Sequence, residues 1–325
     1  MTASAQAAAG PNLFARLRQA SWIWSFLAAA LAFGGTMVVS GGQGSYSLLN
    51  AALTFAAFSV IVGIGQMFVI TLGPGNVDLS VPASMTLAAT LSLKFMDTDT
   101  GLILPGLLIA LAVGVACGIF NYGLILTLRI PPIIATLSSS FIFQSIAIWS
   151  NRGLRIKPPP PLADFTTGST LAIPNVAIAV VALALLAWFV LERTIFGRWI
   201  LAAGQNMRAA QLSAVPINLV RFCVYVGSAV LASFAGFLLA SFSGGANLSM
   251  GTEYMLMSIA VVVIGGSSIA GGNSNVPGIW GAALFMFLLV SMLNSLGLGA
   301  GVRLLLTGVI IVAVVIFASK RTYSA

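Results

Sequence analysis

The chain has 325 residues, of which 59% are hydrophobic and only 6% are charged, and its mean hydropathy is +1.07. Soluble domains carry roughly 25% charged residues, so this composition excludes a soluble globular protein and indicates a polytopic membrane protein. The formal net charge of +8 does not indicate nucleic-acid binding, because the basic residues are spread along the chain rather than gathered in a dense run.

Ten apolar segments are predicted to cross a membrane as helices, since a spanning helix needs roughly 20 apolar residues. The first is interpreted as a retained span, because it is long for a signal peptide and no convincing A-x-A site follows it. The eighth is short, which is typical of a broken helix. The predicted spans are 22–40, 48–71, 80–96, 102–127, 132–149, 172–191, 219–242, 253–265, 276–296 and 302–319. The fold class is therefore all-α, with a single transmembrane domain over 1–325.

The distribution of charge predicts that both termini lie in the cytoplasm, because short cytoplasmic loops are enriched in Lys and Arg. Residues 1–21 are then a cytoplasmic N-terminal segment. Residues 192–218, called here the basic loop, form the largest cytoplasmic loop, where a soluble partner is expected to dock. Ten spans in this orientation place nine of the fourteen cations inside: Arg16, Arg18, Arg129, Arg193, Arg198, Arg208, Arg221, Lys320 and Arg321.

The loop 150–171 falls outside in this topology, although it carries Arg152, Arg155 and Lys157. Its four prolines, Pro158–Pro161, predict extended or polyproline II backbone rather than membrane helix. A rigid basic loop suits an acidic soluble partner, but a simple spacer is equally consistent with the sequence.

Glycines are abundant, and most are interpreted as helix packing, as in the pair Gly114 and Gly118. Two clusters, at 73–76 and 265–273, instead interrupt apolar runs on the predicted cytoplasmic side. Irregular backbone at membrane depth is tolerated only where it is buried in protein or lines a wet cavity. The clusters are therefore either elements of a pore mouth or tight turns.

Chemistry-bearing residues are scarce. Histidine is absent, which removes the commonest metal ligand and general base, and Cys117 and Cys223 lie in apolar runs that indicate buried packing. The sequence has no phosphate-binding loop, no G-x-S-x-G elbow and no H-E-x-x-H motif. We therefore expect neither an enzyme nor a metal site, and the chain alone is not expected to hydrolyse ATP.

Polar side chains are the candidates for an aqueous path, because amides and hydroxyls both donate and accept hydrogen bonds and so suit a neutral polyhydroxylated solute. The predicted spans have no carboxylate in their middle, so coupling to an ion is poorly supported. Hydrogen bonding between helices is the alternative role for each candidate. The candidates are Gln66, Asn76, Asp78, Asn121, Gln144, Asn247 and Asn294, with Ser138–Ser140.

Four motifs lie at or between the spans. Residues 75–81, GNVDLSV, are similar to a G-x-D-L-S-V segment, and 131–137, PPIIATL, to P-x-F-I-A-T-L. Residues 197–215, GRWILAAGQNMRAAQLSAV, resemble G-R-x-x-x-A-x-G-x-N-x-x-A-A-x-x-S-G-I, and 263–272, VIGGSSIAGG, resemble V-x-G-G-T-S-L-A-G-G. By these motifs residues 45–320 resemble permease subunits of bacterial ATP-binding cassette importers for simple sugars, of the ribose/xylose/arabinose type.

The resemblance implies the permease fold of these importers, a second permease subunit in a homodimer or heterodimer, two cytoplasmic ATPases that bind ATP, and a periplasmic sugar-binding protein. The chain itself would bind no cofactor. The basic loop would couple to the ATPase, with Arg198, Asn206 and Arg208 in contact, although Asn206 could equally cap a helix that begins near Met207. The coupling residues so implied are Gly197, Arg198, Ala202, Gly204, Asn206, Arg208, Ala209, Ala210, Leu212 and Ser213.

The chain departs from the family's pattern at Pro82 and Ala83, at Ala214 and at Asn273. These departures leave the family unchanged, and the sequence indicates no particular sugar. Our preferred function is a path for a monosaccharide or related polyol, opened by alternating access. The alternatives are a stand-alone secondary carrier or channel for a small neutral solute, and a membrane scaffold or membrane enzyme.

Overall fold

The computed structural model describes residues 21–42, 44–151 and 157–322. Helices occupy all ten segments that the sequence predicts as spans, with bounds shifted by only a few residues. In chain order the elements are α1 Ser21–Val39, α2 Ser45–Thr71, α3 Val81–Met96, a 3₁₀ helix Thr100–Leu102, α4 Ile103–Leu128, α5 Pro132–Ser150, α6 Pro160–Thr167, β1 Ser169–Thr170, β2 Ile173–Pro174, α7 Asn175–Arg193, α8 Ile195–Gln205, α9 Met207–Leu212, α10 Ile217–Phe242, α11 Tyr254–Ile264, α12 Val276–Ser295 and α13 Ala300–Thr322.

Seven of these helices are long and apolar enough to cross a membrane, namely α1, α2, α4, α5, α7, α10 and α12. Two predicted spans are shorter, because α3 has 16 residues and α11 has 11. Helix α13 has 23 residues, and its apolar part lies within Ala300–Ala313 as far as its side chains are described. The short strands β1 and β2 pair antiparallel in the loop before α7. The described chain is thus mostly helical and has seven candidate membrane spans.

The proline run 158–161 is only partly extended, so the prediction for it was wrong in its second half. Pro159 has polyproline II geometry, with φ −55° and ψ 140°, but Pro160 and Pro161 open α6. Proline is compatible with the first helical turn, because its φ is already helical and its missing N–H has no partner there. Lys157 in this loop is exposed.

Some sequence-based predictions concern positions outside the described residues. These positions are most of the predicted N-terminal cytoplasmic segment, residues 1–20, and the loop residues Arg152 and Arg155.

Helix α2 lies at the centre of the bundle, and nearly all of its residues from Ala52 onward are buried. It packs against α7, α10, α11 and α12. Glycines allow the closest contacts, as between α4 and α10. A Cβ added at Gly114 would lie 2.6 Å from Val230 Cα, and one at Gly118 would overlap with Val226 Cα. The predicted packing role of these two glycines is therefore confirmed.

We predict that Gly118→Val lowers the apparent melting temperature of the detergent-solubilised protein, because the new side chain overlaps the α10 backbone. Overpacking of this kind costs roughly 1–3 kcal/mol. Gly123→Val is the matched control in the same helix, since nothing lies within 4 Å of a Cβ added there. Equal melting temperatures for the two variants would contradict this account of the α4–α10 contact.

Candidate functional site

The basic loop folds into two short helices, α8 and α9, that meet at Asn206. Thr194 caps α8, because its Oγ1 accepts a hydrogen bond from Gly197 N at 3.2 Å. Asn206 caps α9, because its Oδ1 accepts from Ala209 N at 3.0 Å. The capping role that the sequence left open for Asn206 is confirmed.

The implied coupling residues divide into a buried and an exposed set. Gly197, Gly204 and Ala210 are buried, and Ala202 is half-buried. A Cβ at Gly197 would overlap with Leu191 O, so glycine lets α8 fold back closely on the end of α7. The exposed members are Arg198, Asn206, Arg208, Ala209, Leu212 and Ser213.

The exposed face of α8 and α9 combines cations with apolar side chains. Arg198 and Arg208 form no ion pair with any described residue. Leu212 is 79% exposed and Ile195 is 57% exposed. Unpaired guanidinium groups beside exposed aliphatic side chains are typical of a surface that another protein covers.

Gly204 lies where three stretches of backbone meet. A Cβ added there would overlap with Thr71 O, at the end of α2, and with Gly272 N, in the loop between α11 and α12. The N–H of Gly272 donates a hydrogen bond to Thr71 O at 3.0 Å. Gln205 Nε2 donates to Gly272 O at 3.3 Å. Only glycine fits at position 204 without displacing one of the other two stretches.

Two further glycines complete this contact. A Cβ at Gly271 would overlap with Gly73 Cα, and one at Gly272 would lie 2.8 Å from Gln205 N. Gly73, Gly271 and Gly272 also have positive φ, which glycine adopts readily. We call Gly73, Gly204, Gly271 and Gly272 the glycine junction. Of the two roles predicted for the glycine clusters, these values favour tight turns, which here contact each other and the basic loop.

A buried polar network surrounds Asp78, in the non-helical segment 72–80 between α2 and α3. Asp78 Oδ1 accepts hydrogen bonds from Ser80 N at 2.9 Å and Ser80 Oγ at 2.7 Å, and Oδ2 accepts from Ser228 Oγ at 3.0 Å. Asn121 Nδ2 donates to Ser80 Oγ at 2.7 Å. Ser139 Oγ donates to Asn121 Oδ1. The network therefore joins α4, α5 and α10 to the segment that precedes α3.

Asp78 lies deeper in the bundle than its position near a span end suggests. It is 1% exposed, and its partner Ser228 lies in the middle of α10. Among the described residues no Lys or Arg pairs with it, so the three hydrogen bonds must offset the desolvation of the carboxylate. The sequence could not show this depth, because the chain turns back into the bundle as non-helical backbone before α3 begins.

Other residues fix the same segment 72–80 to the helices. Tyr225 Oη donates to Asn76 Oδ1 at 3.1 Å, and Asn76 Nδ2 donates to Gly73 O at 3.1 Å. Thr136 Oγ1 accepts from Leu79 N at 3.0 Å. Thr136 could have been found from the sequence, because it belongs to the PPIIATL motif. Tyr225 and Ser228 lie inside an apolar helix and belong to no motif, so sequence analysis missed them.

The structure brings three of the seven path candidates together, and the other four lie apart from the network. Gln66 is buried in α2, and neither atom of its amide has a hydrogen-bond partner among the described residues. Gln144 Nε2 donates to Leu248 O at 2.8 Å. Asn247 and Asn294 are exposed. Of the seven, only Asp78 and Asn121 belong to the Asp78 network and Asn76 to the segment that leads to it, and Ser139 from the group Ser138–Ser140 joins them.

The chain is similar to known membrane transport proteins. Residues 47–318 match a family model described as the permease component of the branched-chain amino acid transport system. The autoinducer 2 import system permease protein LsrD of Salmonella typhi is 29% identical over 278 residues, which cover 82% of this chain and 83% of the relative. No solved structure matches the chain significantly.

Two further relatives cover a similar range. The ribose import permease protein RbsC of Escherichia coli strain K12 is 29% identical over 268 residues, which cover 81% of this chain and 83% of the relative. The probable ABC transporter permease protein y4mJ of Sinorhizobium fredii is 31% identical over 264 residues, which cover 79% of this chain and 77% of the relative.

The family match includes the basic loop, the glycine junction and the Asp78 network. Permeases of this family are transport subunits and not enzymes, and the family implies separate ATPase subunits that use ATP and a periplasmic binding protein. These findings displace the stand-alone carrier, the scaffold and the membrane enzyme. The chain belongs to this family as a multi-pass, inner-membrane permease subunit of an ATP-binding cassette importer, of the ribose and autoinducer 2 type.

Proposed function

We propose that this permease forms the path for a monosaccharide or a related polyol, which a periplasmic binding protein delivers and which ATPase subunits drive inward. Two relatives are named for import of ribose and of autoinducer 2, both consistent with a small polar solute. The observation that carries the proposal is the glycine junction. It places the basic loop, where an ATPase would dock, directly against the segment that leads to the Asp78 network.

The exposed face of α8 and α9 is the proposed ATPase-docking surface. Arg198 and Arg208 would meet acidic groups, and Leu212 and Ile195 would enter an apolar groove of the partner. Complementary charge sets the orientation and speed of docking, while buried apolar anchors supply most of the affinity. Asn206 acts on this surface through its cap, because it holds the first turn of α9 in place.

The route from this surface to the polar network is short. Gly204 contacts Thr71 and Gly272, and Gly73 lies three residues before Asn76, whose side chain bonds back to Gly73 O. A displacement of α8 would therefore shift the non-helical segment 72–80. Through Gly272 the same displacement would reach the loop between α11 and α12. Close-packed backbone transmits such motion because it cannot be compressed.

The proposed path is lined by the network residues Asn76, Asp78 and Asn121. In this structure they bond to protein hydroxyls, and hydroxyl groups of a solute can form the same hydrogen bonds when the helices separate. Weak and tolerant contacts suffice if a binding protein supplies the affinity. Gln66, Gln144, Asn247 and Asn294 stay predictions as path residues.

We further propose that the helices at all ten predicted spans cross the membrane within a single domain, residues 1–325, with both termini in the cytoplasm and a second permease subunit completing the path. The cations of the basic loop support this orientation. Helices α3 and α11 can be short because protein rather than lipid surrounds their ends, where the irregular segments 72–80 and 265–275 contact the basic loop.

We predict that Gly204→Ala uncouples the transporter, because the added methyl group overlaps with Thr71 and Gly272 and separates the basic loop from the bundle. Sugar uptake and solute-stimulated ATP hydrolysis are measured in proteoliposomes that contain the ATPase and the binding protein. Uptake should fall at least about tenfold, equivalent to roughly 1.4 kcal/mol.

The matched control for this variant is Gly227→Ala, where nothing lies within 4 Å of the added Cβ. Membrane insertion and co-purification with the ATPase are measured for both variants, which separates uncoupling from misfolding. Uptake by Gly204→Ala equal to that of the control would refute the coupling role.

We predict that Asp78→Ala destabilises the bundle, because it leaves Ser80 N–H, Ser80 Oγ and Ser228 Oγ without their acceptor. Each unpaired buried donor costs roughly 1–3 kcal/mol. Asp78→Asn keeps one acceptor oxygen and should lose less stability. The apparent melting temperature and the uptake rate are measured for both variants. Reduced uptake by a thermally stable Asp78→Asn supports the path, whereas wild-type uptake by both variants excludes Asp78 from it.

A further inference from the structure

Two adjoining clefts flank the start of α10, and Arg221 lines both. The first has a volume of about 430 Å³ and lies beside the turn between α4 and α5. Its walls are formed by Ile125, Leu126, Arg129, Ile130, Pro131, Pro132 and Arg221. The second has a volume of about 590 Å³ and extends along Met207 and Gln211 of α9. The clefts therefore lie between the membrane helices and the basic loop.

The first cleft lies at the membrane boundary. Helices α4 and α10 are antiparallel, since Gly118 packs against Val226 and the rings of Tyr122 and Phe222 are 5.7 Å apart. Continuing this register places Arg221 near the C-terminal end of α4, where Arg129 is the next residue. Two cations at adjacent ends of two candidate spans mark the cytoplasmic interface.

Two donors without acceptors lie at or next to this cleft, since Arg221 lines it and Tyr122 precedes the wall residue Ile125 by one helical turn. Arg221 Nε is buried and has no hydrogen-bond acceptor among the described residues, and the same holds for the hydroxyl of Tyr122. Tyr122 is 5% exposed. Neither Arg129 nor Arg221 forms an ion pair in the part of the chain that the structure describes. Buried donors without acceptors are unfavourable, so the chemistry of the wall suits a ligand with several acceptor oxygens and negative charge.

The surroundings of the cleft show which kind of anion it suits. Its other wall residues are aliphatic or proline, and the neighbouring Leu126 and Leu128 are 49% and 61% exposed at the end of a membrane helix. A water-soluble anion would gain nothing from these apolar surfaces, whereas acyl chains would pack on them. Basic pockets between membrane helices at the cytoplasmic face bind anionic lipid headgroups.

We propose that Arg129, Arg221 and Tyr122 bind the phosphoryl group of an anionic phospholipid in the cytoplasmic leaflet. The guanidinium groups bind the phosphate oxygens, and the Tyr122 hydroxyl donates a further hydrogen bond. The second cleft continues from Arg221 to α9, so the bound headgroup lies against the basic loop and stabilises its position. The site is independent of the solute that the permease carries.

The test uses the delipidated, full-length permease in detergent, titrated separately with phosphatidylglycerol, phosphatidylcholine and inorganic phosphate. The apparent melting temperature is recorded, and bound lipids are counted by native mass spectrometry. We expect stabilisation and retained lipid with phosphatidylglycerol, and little effect of phosphatidylcholine or inorganic phosphate. Equal stabilisation by inorganic phosphate would show a simple anion site, and equal stabilisation by phosphatidylcholine would show general lipid packing; either result overturns the proposal.

Three variants assign the effect to the cleft. The double variant Arg129→Gln, Arg221→Gln should need at least about tenfold more phosphatidylglycerol for half of the stabilisation, and Tyr122→Phe about fivefold more. Tyr122→Phe removes only the hydroxyl group and keeps the ring and the charge. It therefore tests the site even if the double variant does not fold. The control Arg193→Gln removes an exposed cation outside the cleft, which lies over the Trp188 ring, and should bind lipid normally.

Unchanged lipid binding by both cleft variants would overturn the proposal. The proposal would also be overturned if the cleft variants bound lipid normally but no longer co-purified with the ATPase. The cleft would then bind an acidic side chain of the ATPase instead of a lipid.

Discussion

The close approach of three backbone stretches at the glycine junction is the constraint on which the rest of the structure depends. Gly204 has no room for a side chain, and Gly272 N–H bonds to Thr71 O across the same contact. The ends of α2 and α8 and the loop between α11 and α12 are thereby held together. A hinge made of side chains could absorb motion by changing rotamers, but directly packed backbone cannot. The basic loop is thus rigidly joined to the bundle at this point.

The Asp78 network is the second consequence of this arrangement. The chain leaves α2 through Gly73, continues inside the bundle as non-helical backbone and begins α3 only at Val81. Non-helical backbone at this depth needs partners, which Thr136 and the side chains around Asp78 provide. A buried carboxylate without a cation is stable only while these hydrogen bonds persist. In the proposed transport cycle, movement of the segment would exchange one set of hydrogen bonds for another, which a polyhydroxylated solute would supply.

Much of the fold was predictable, because hydropathy and the breaks at Gly, Pro and charge depend on local sequence. Helix positions and the cap at Asn206 follow from such patterns. Contacts between distant segments do not: three glycine-containing motifs were recognised separately, yet nothing local shows that Gly204 touches Gly272. The depth of Asp78 was missed because its position next to a predicted span does not show that the chain turns back into the bundle before α3 begins. Ser228 was missed because a single hydroxyl inside an apolar helix carries no pattern.

The central claim is that the basic loop and the two glycine turns move as one body. The most direct test is the distance between spin labels at Met207 and Asn273, both exposed, in a variant without Cys117 and Cys223. The separation is short, so the distance distribution is obtained from the dipolar broadening of continuous-wave electron paramagnetic resonance spectra, recorded on the reconstituted complex without nucleotide and with nucleotide trapped on the ATPase. The account predicts the same distance distribution in both states. A distribution that lengthens or splits when nucleotide is trapped would show that the junction opens, and that motion reaches the path by another route.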